Sequence, residues 1–203
     1  MRRVLVAAML PLALVLLSGC GSSGPGFTPG RSHLELDTPD LVALKHTTDV
    51  PDCPRTTSEP ADDGLPAVTV DCLGGGRSVD LSRLRGPMIV NFWQAFCHPC
   101  RKEMPALAAY ARSQSQVQVL GVDYLDLQPA AALELARASH VGYPLVSDPA
   151  GNLDGAGALP RIPGLPFTVF LDAQGRIAHV EAVPYADEAE VVAAAQRYLG
   201  VGG

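Results

Sequence analysis

The chain has 203 residues, 47% of them hydrophobic, with a formal net charge of −6. That length fits one domain with enough interior to be stable. The acidic balance offers no basic face for nucleic acid, so nucleic acid is not an expected partner.

The first twenty residues read as an address. Arg2 and Arg3 supply a positive start, and Val4 to Leu17 forms a 14-residue apolar run. A bilayer-spanning helix needs roughly 20 such residues, so the run reads as an export signal. It ends in Leu17-Ser18-Gly19-Cys20, which is similar to a bacterial lipobox, where the cysteine is lipidated and becomes the mature N-terminus. The expectation is a lipid anchor at Cys20 holding the chain on the outer face of the cytoplasmic membrane, two acyl chains being enough for stable attachment. An ordinary cleavage site with an incidental cysteine is the alternative. Residues 21–60 read as a tether and N-terminal extension. Gly21 to Arg31 is rich in Gly, Ser and Pro, and such a composition cannot bury enough to fold. Up to Asp63 there is one apolar patch, Leu41-Val42-Ala43-Leu44. The folded domain is expected over 61–203.

Within it the periodicity alternates. Pro66 to Cys72 reads as a strand, Gly74-Gly75-Gly76 as a turn and Arg77 to Leu84 as a return segment, together an N-terminal hairpin. Met88 to Trp93 predicts a buried strand, Cys97 to about Arg112 a helix, and Gln116 to Asp123 a further strand. Pro129 to His140 predicts a helix with apolar Ala132, Leu133, Leu135 and Ala136, followed by a strand near Pro144 to Val146. Phe167 to Leu171 and Ile177 to Val183 flank Asp172-Ala173-Gln174-Gly175-Arg176, a hairpin signal. Asp187 to Leu199 predicts a closing helix, with Asp187 as N-cap and Glu190 completing a capping box. Strands interleaved with helices give an α/β fold, a mixed sheet with helices on both faces.

Five cysteines are an odd number for an exported chain. With Cys20 lipidated, four remain. Cys53 and Cys72 would close a loop of about 20 residues, stabilising by roughly 3 kcal/mol in the chain-entropy model, and an oxidising compartment lets such a bond persist. A structural Cys53–Cys72 disulfide is the expectation, and a second redox pair that relays electrons is the alternative.

Cys97-His98-Pro99-Cys100 lies between the buried strand and the first turn of a helix. A helix start presents unpaired N–H groups and the positive end of the dipole, both of which favour a thiolate. Zinc would need four ligands, and neither Cys53 nor Cys72 forms a second Cys-x-x-Cys, nor are the histidines spaced as ligands. So short a ring is poorly suited to stapling. The pattern points to thiol–disulfide exchange, with no metal and no cofactor. Cys97 is the expected attacking sulfur and Cys100 the resolving one.

The order of elements resembles the thioredoxin fold and, more narrowly, the TlpA/ResA group of membrane-tethered thiol–disulfide oxidoreductases, over about residues 61 to 200. Trp93 with Cys97 and Cys100 is similar to the group's Trp-x-x-x-Cys-x-x-Cys signature, Pro105 to the proline in its active-site helix, and Gly164 to Asp172 to the segment carrying its cis-proline, here Pro166. The helix from Pro129 and the strand after it match the group's central insertion. The resemblance implies that Leu165 and Pro166 flank the substrate chain. Trp93 either fills the core beneath the site or touches substrate. Asn91 stands where thioredoxin has a buried aspartate, and Glu103 matches the group's acidic residue after the second cysteine. Glu103 would move the Cys100 proton if buried, or would be a solvated neighbour of Arg101 and Lys102. His98, with Pro99, tunes the pair only if charged beside Cys97.

The implied role is reduction of exported protein disulfides, in particular apocytochrome c before haem attachment, with electrons from a membrane thiol reductase and the chain acting as a monomer. A general disulfide oxidase or isomerase is the alternative within this chemistry. A copper-binding module on the same fold would want Cys-x-x-x-Cys plus a distal histidine. The spacing here is one residue short, although His140 or His179 could serve.

Overall fold

The computed structural model describes residues 34–201. The leader, Cys20 and the Gly/Ser/Pro tether Gly21 to Arg31 lie outside the described residues. Among the described residues seven strands form one sheet in the order β2-β1-β5-β4-β3-β6-β7. They are β1 (Thr69–Cys72), β2 (Val79–Asp80), β3 (Met88–Trp93), β4 (Gln118–Tyr124), β5 (Leu145–Asp148), β6 (Phe167–Leu171) and β7 (Ile177–Glu181). β3, β4 and β5 run parallel, while β6, β7, β1 and β2 pair antiparallel. This is the mixed sheet that the alternating pattern implies.

β3 sits at the centre and every one of its residues is buried. Side chains alternate across a strand. Met88, Val90 and Phe92 therefore enter one apolar layer, while Ile89 and Trp93 enter the other. The second layer also receives the buried faces of α1 (Pro39–Lys45), α2 (His98–Ser113), α3 (Pro129–Ala138) and α4 (Glu188–Leu199). The first layer is closed instead by Leu65, Leu81, Leu84, Leu153 and Leu159, from the short turn after β2 and from loops. Among the described residues the four α-helices lie on one face and the 3₁₀ turn Leu81–Arg83 on the other. The cause is the order of the parallel strands. The crossovers β3–α2–β4 and β4–α3–β5 step the same way along the sheet, and right-handed connections then put both helices on one side.

The element boundaries otherwise fall close to the sequence reading. The return segment Arg77 to Leu84 shrinks to the two residues of β2 and a 3₁₀ turn, Leu81–Arg83, because the Asp80 carboxylate accepts the Ser82 N–H at 3.1 Å and caps the turn. α3 ends at Ala138, and His140 takes a positive φ of 53° just beyond it. The Asp187 carboxylate accepts the Glu190 N–H at 3.1 Å as expected of an N-cap. The Glu190 carboxylate, however, takes its return bond from Ala186 N–H at 2.7 Å rather than from Asp187.

Ahead of residue 61 the sequence suggests only one apolar patch, yet α1 forms there. Thr38 Oγ1 accepts the Leu41 N–H, and Pro39 sits in the first turn, where its missing N–H costs nothing. A helix of seven residues is too short to persist alone. It is held because Leu41 is buried in the helical layer. Cys53, bonded to Cys72 across a Cα separation of 5.9 Å, ties the segment after α1 to the end of β1.

Gly121 of β4 lies where Trp93 and Tyr143 meet. A Cβ there would stand 2.5 Å from Leu145 Cδ2, 2.9 Å from Trp93 Nε1 and 3.2 Å from Tyr143 Cε2. The indole cannot yield without leaving its pocket, so Gly121→Ala is expected to destabilise the domain by about 1–3 kcal/mol. Denaturant unfolding of the two proteins measures the difference.

Candidate active site

β3 ends at Trp93 and α2 begins at His98, so four residues carry the chain from strand to helix. Two bonds fix this loop to the β4–α3 connection. Asp126 Oδ2 accepts the Ala95 N–H at 2.9 Å, and Gln94 Nε2 donates to the Leu125 carbonyl at 2.8 Å. Cys97 is the N-cap of α2, and its sulfur accepts the Cys100 N–H at 3.2 Å. It is half-buried, whereas Cys100, inside the first turn, is fully buried. The two are joined as a disulfide with a Cα separation of 5.3 Å. The less covered sulfur therefore sits at the end of the helix where N–H groups are free to stabilise a thiolate.

His98 is exposed and Pro99 half-buried in the first turn of α2, and Phe96, before Cys97, is 60% exposed. Pro105 lies inside α2. It removes the N–H that would reach the Arg101 carbonyl. Trp93 has no exposed surface and belongs to the same apolar layer as Cys100 and Met104. β6 pairs with β3 so that Phe167 faces Phe92, and continuing the register sets Pro166 opposite Trp93. The Leu165–Pro166 bond is cis, Pro166 is buried and Leu165 packs against the same apolar layer as Cys97.

Glu103 is not a surface neighbour of Arg101 and Lys102. It is 1% exposed. Its Oε1 accepts from Asn91 Nδ2 at 2.8 Å and its Oε2 from the Tyr185 N–H at 3.2 Å. Asn91 also donates to Thr168 Oγ1 at 3.1 Å. Burial pushes the carboxyl up to about 7, against the opposing pull of the bonds from Asn91 and Tyr185. A carboxyl that changes state near neutral pH, one turn along the helix from Cys100, can take and return a proton there.

The sequence reading missed an acidic pair. Asp123, next to last in β4, has no exposed surface, and burial, with Asp126 beside it, holds its carboxyl well above the usual range. An acidic residue directly after a run as apolar as Val117-Gln118-Val119-Leu120-Gly121-Val122 was the available signal. Asp123 Oδ1, Trp93 Nε1 and Tyr143 Oη have no hydrogen-bond partner among the described residues. The two histidines considered for copper are elsewhere. His140 is exposed beyond α3, and His179 stacks on Tyr198 at 3.7 Å between ring centroids.

Residues 61–180 match the AhpC/TSA family. The chain belongs to that family. Among curated relatives of this AhpC/TSA member is the thiol:disulfide interchange protein DsbE of Pseudomonas fluorescens biotype C. It is 36% identical over 115 residues, which cover 56% of this chain and 61% of that protein. The thiol-disulfide oxidoreductase ResA of Bacillus subtilis is 30% identical over 109 residues, covering 52% and 58%. The match thus spans about three-fifths of these relatives' length. Among solved structures, a secreted Mycobacterium tuberculosis disulfide oxidoreductase homologous to E. coli DsbE superposes with a TM-score of 0.54 at 22% identity, covering 63% of this chain and 92% of that one. A secreted thiol-disulfide isomerase from Corynebacterium glutamicum gives 0.56 at 22% identity, covering 75% and 99%. The thioredoxin-like fold and the TlpA/ResA resemblance are borne out.

The raised Glu103 carboxyl has a direct consequence for stability. The folded state holds this proton more tightly than the unfolded chain, so the contribution is complete below about pH 4.5 and is lost as pH rises through about 7. Denaturant unfolding of the oxidised protein is expected to show this loss, of a few kcal/mol at most, and Glu103→Gln is expected to remove it. In exchange assays the wild-type rate should inflect near pH 7. The variant should lose that inflection and slow by about 10²-fold. A variant with an unchanged profile between pH 6 and 8 would remove Glu103 from the proton path.

Proposed function

We propose that this chain is an extracytoplasmic thiol–disulfide oxidoreductase that reduces protein disulfides through Cys97 and Cys100. The observation that carries the reading is the asymmetry of the pair. Cys97 is the half-exposed cap of α2, while Cys100 is fully buried one turn before the buried Glu103 carboxyl.

The steps follow from that asymmetry. The Cys97 thiolate attacks one sulfur of a substrate disulfide. The substrate S–S bond breaks, its other sulfur leaves as a thiolate, and Cys97 is joined to the substrate. Cys100 gives its proton to the Glu103 carboxylate, and the resulting thiolate attacks Cys97 Sγ. The Cys97–Cys100 bond closes and the substrate leaves as a dithiol, so two electrons have passed from this chain to the substrate. A membrane thiol reductase would restore the dithiol by the same exchange in reverse. Leu165 and Pro166, at the start of β6, would flank the bound substrate chain.

The finer reading is a reductant of apocytochrome c cysteines before haem attachment. Its support is the resemblance to the TlpA/ResA group. The placement outside the cytoplasm belongs to the same proposal. Residues 1–20 would be a leader ending at a lipidated Cys20, with the segment from residue 21 to 60 joining the lipid to the domain at 61–203.

A redox titration of the full chain, with alkylation and mass mapping of each cysteine, tests direction as well as chemistry. A Cys97–Cys100 potential near about −270 mV is expected of a dedicated reductant, whereas about −120 to −180 mV would indicate an oxidase or isomerase. Cys97→Ser should abolish exchange. A Cys97–Cys100 disulfide that never forms at any poise would sink the oxidoreductase reading.

A further inference from the structure

The second disulfide has a lysine against it. Lys45, at the end of α1, is 7% exposed. Its Nζ lies 3.4 Å from Cys72 Sγ and donates to the Gly75 carbonyl at 2.9 Å. Among the described residues the acid paired with it is Asp52, at 3.8 Å and 81% exposed, where water screens the charge. Burial pulls the ammonium below its ordinary pKa, with Asp52 opposing the shift. A mechanical staple does not need such a group, since a disulfide constrains the chain through its covalent bond alone. A buried cation held by one carbonyl and one solvent-exposed carboxylate is costly.

That cost falls when an anion forms next to it. Opening the Cys53–Cys72 bond with Cys72 as thiolate would give the Lys45 ammonium a partner at contact distance. Anything that stabilises the reduced form raises the tendency of a disulfide to be reduced. There is also a way in. Cys72 lines a cleft with Leu36, Asp37, Gly75 and Gly76. At Gly76, with φ of 120°, a Cβ would stand 3.5 Å from Cys72 Sγ and 3.8 Å from Lys45 Nζ, so glycine leaves that space clear.

We propose that Cys53–Cys72 is a second exchangeable redox centre, driven toward its open form by the ammonium of Lys45. The reductant is a dithiol. One of its thiolates attacks Cys72 Sγ from the cleft, the Cys53–Cys72 bond breaks, and Cys53 leaves and takes up a proton. The second thiolate of the reductant then attacks its own partner sulfur in the mixed disulfide and expels Cys72 as a thiolate beside Lys45. The dithiol leaves as a cyclic disulfide, two electrons having passed to the cysteines. β5 and β4 stand between β1 and β3, so the strands that lead to the two centres are roughly 14 Å apart, three strand spacings. This pair therefore takes electrons from an external dithiol and not from Cys97. Opening it removes the covalent tie between the α1 segment and β1.

Poised dithiothreitol titrations of the full chain, with alkylation and mass mapping of Cys53, Cys72, Cys97 and Cys100, test this in wild type, Lys45→Met and Lys45→Arg. The wild-type Cys53–Cys72 bond is expected to open while circular dichroism still reports the native fold. Lys45→Met should lower the equilibrium constant for opening at least tenfold, about 30 mV. Lys45→Arg, which keeps the charge, should restore most of it, and the Cys97–Cys100 constant should be unchanged in both. The proposal is overturned if wild-type Cys53–Cys72 stays closed until the protein unfolds, a result that needs no variant to fold. It is also overturned if Lys45→Met opens with the wild-type constant. Because both pairs are mapped in one experiment, failure of this centre and failure of the Cys97–Cys100 reading are separate results.

Discussion

Glu103 puts a carboxyl where water does not reach, and the two hydrogen bonds it accepts tie the active-site helix to the rest of the fold. One comes from Asn91 on the central strand and the other from the backbone of Tyr185, just before α4. Asn91 carries the connection on to Thr168 in β6. A buried carboxyl is tolerated only when its oxygens are satisfied, so α2 cannot slide or rotate without breaking one of these bonds. The alternation of β3 and β6 makes this geometry available. Asn91 and Trp93 point to the helical side of β3, and Thr168 points to the same side of β6. Fixing α2 against β3 and β6 also fixes Cys97, at the start of α2, relative to Pro166, at the start of β6.

The other end of that restraint is the loop before Cys97. Asp126 accepts the Ala95 N–H with one oxygen and the Gln128 N–H with the other, at 2.9 and 2.8 Å. One carboxylate thus braces the residue two before the attacking sulfur and the start of α3 together. Asp123 behind it is held toward its protonated form by burial and by the neighbouring Asp126 charge.

Much of this was legible in the residues, and what was not has identifiable causes. β3 is observed over the span that its apolar run predicts, and α2 within one residue of it, because a fully buried strand and a Cys-x-x-Cys helix start are strong local patterns. The burial of Glu103 was legible too. Cys100, Glu103, Met104 and Leu107 fall at helical spacing on one buried face, but adjacent Arg101 and Lys102 make the segment look solvated. α1 escaped because seven residues carry little periodicity and its stability is tertiary. The placement of all four helices on one side of the sheet follows from strand order, and strand order is not written in the periodicity of any single segment. The contact of Lys45 with Cys72 joins residues 27 apart, which no spacing rule would have brought together.

The two disulfides show two ways of favouring a sulfur anion, and their settings differ accordingly. At Cys97 the positive field comes from the backbone, through the N–H groups at the start of α2, and is fixed by the helix itself. It needs no charged side chain and no desolvation of one, so the sulfur can remain half-exposed and meet a macromolecular substrate. At Cys72 the field comes from a side-chain ammonium held against the sulfur in a buried site. A charge is worth more there because little water screens it, but the same burial denies access to a large partner and leaves a cleft floored by glycine as the entrance. Backbone stabilisation therefore suits exchange with proteins, and the buried lysine suits exchange with a small dithiol. In the oxidised form the acid paired with this ammonium among the described residues is the solvated Asp52 at 3.8 Å, and reduction supplies a second anion inside the buried site.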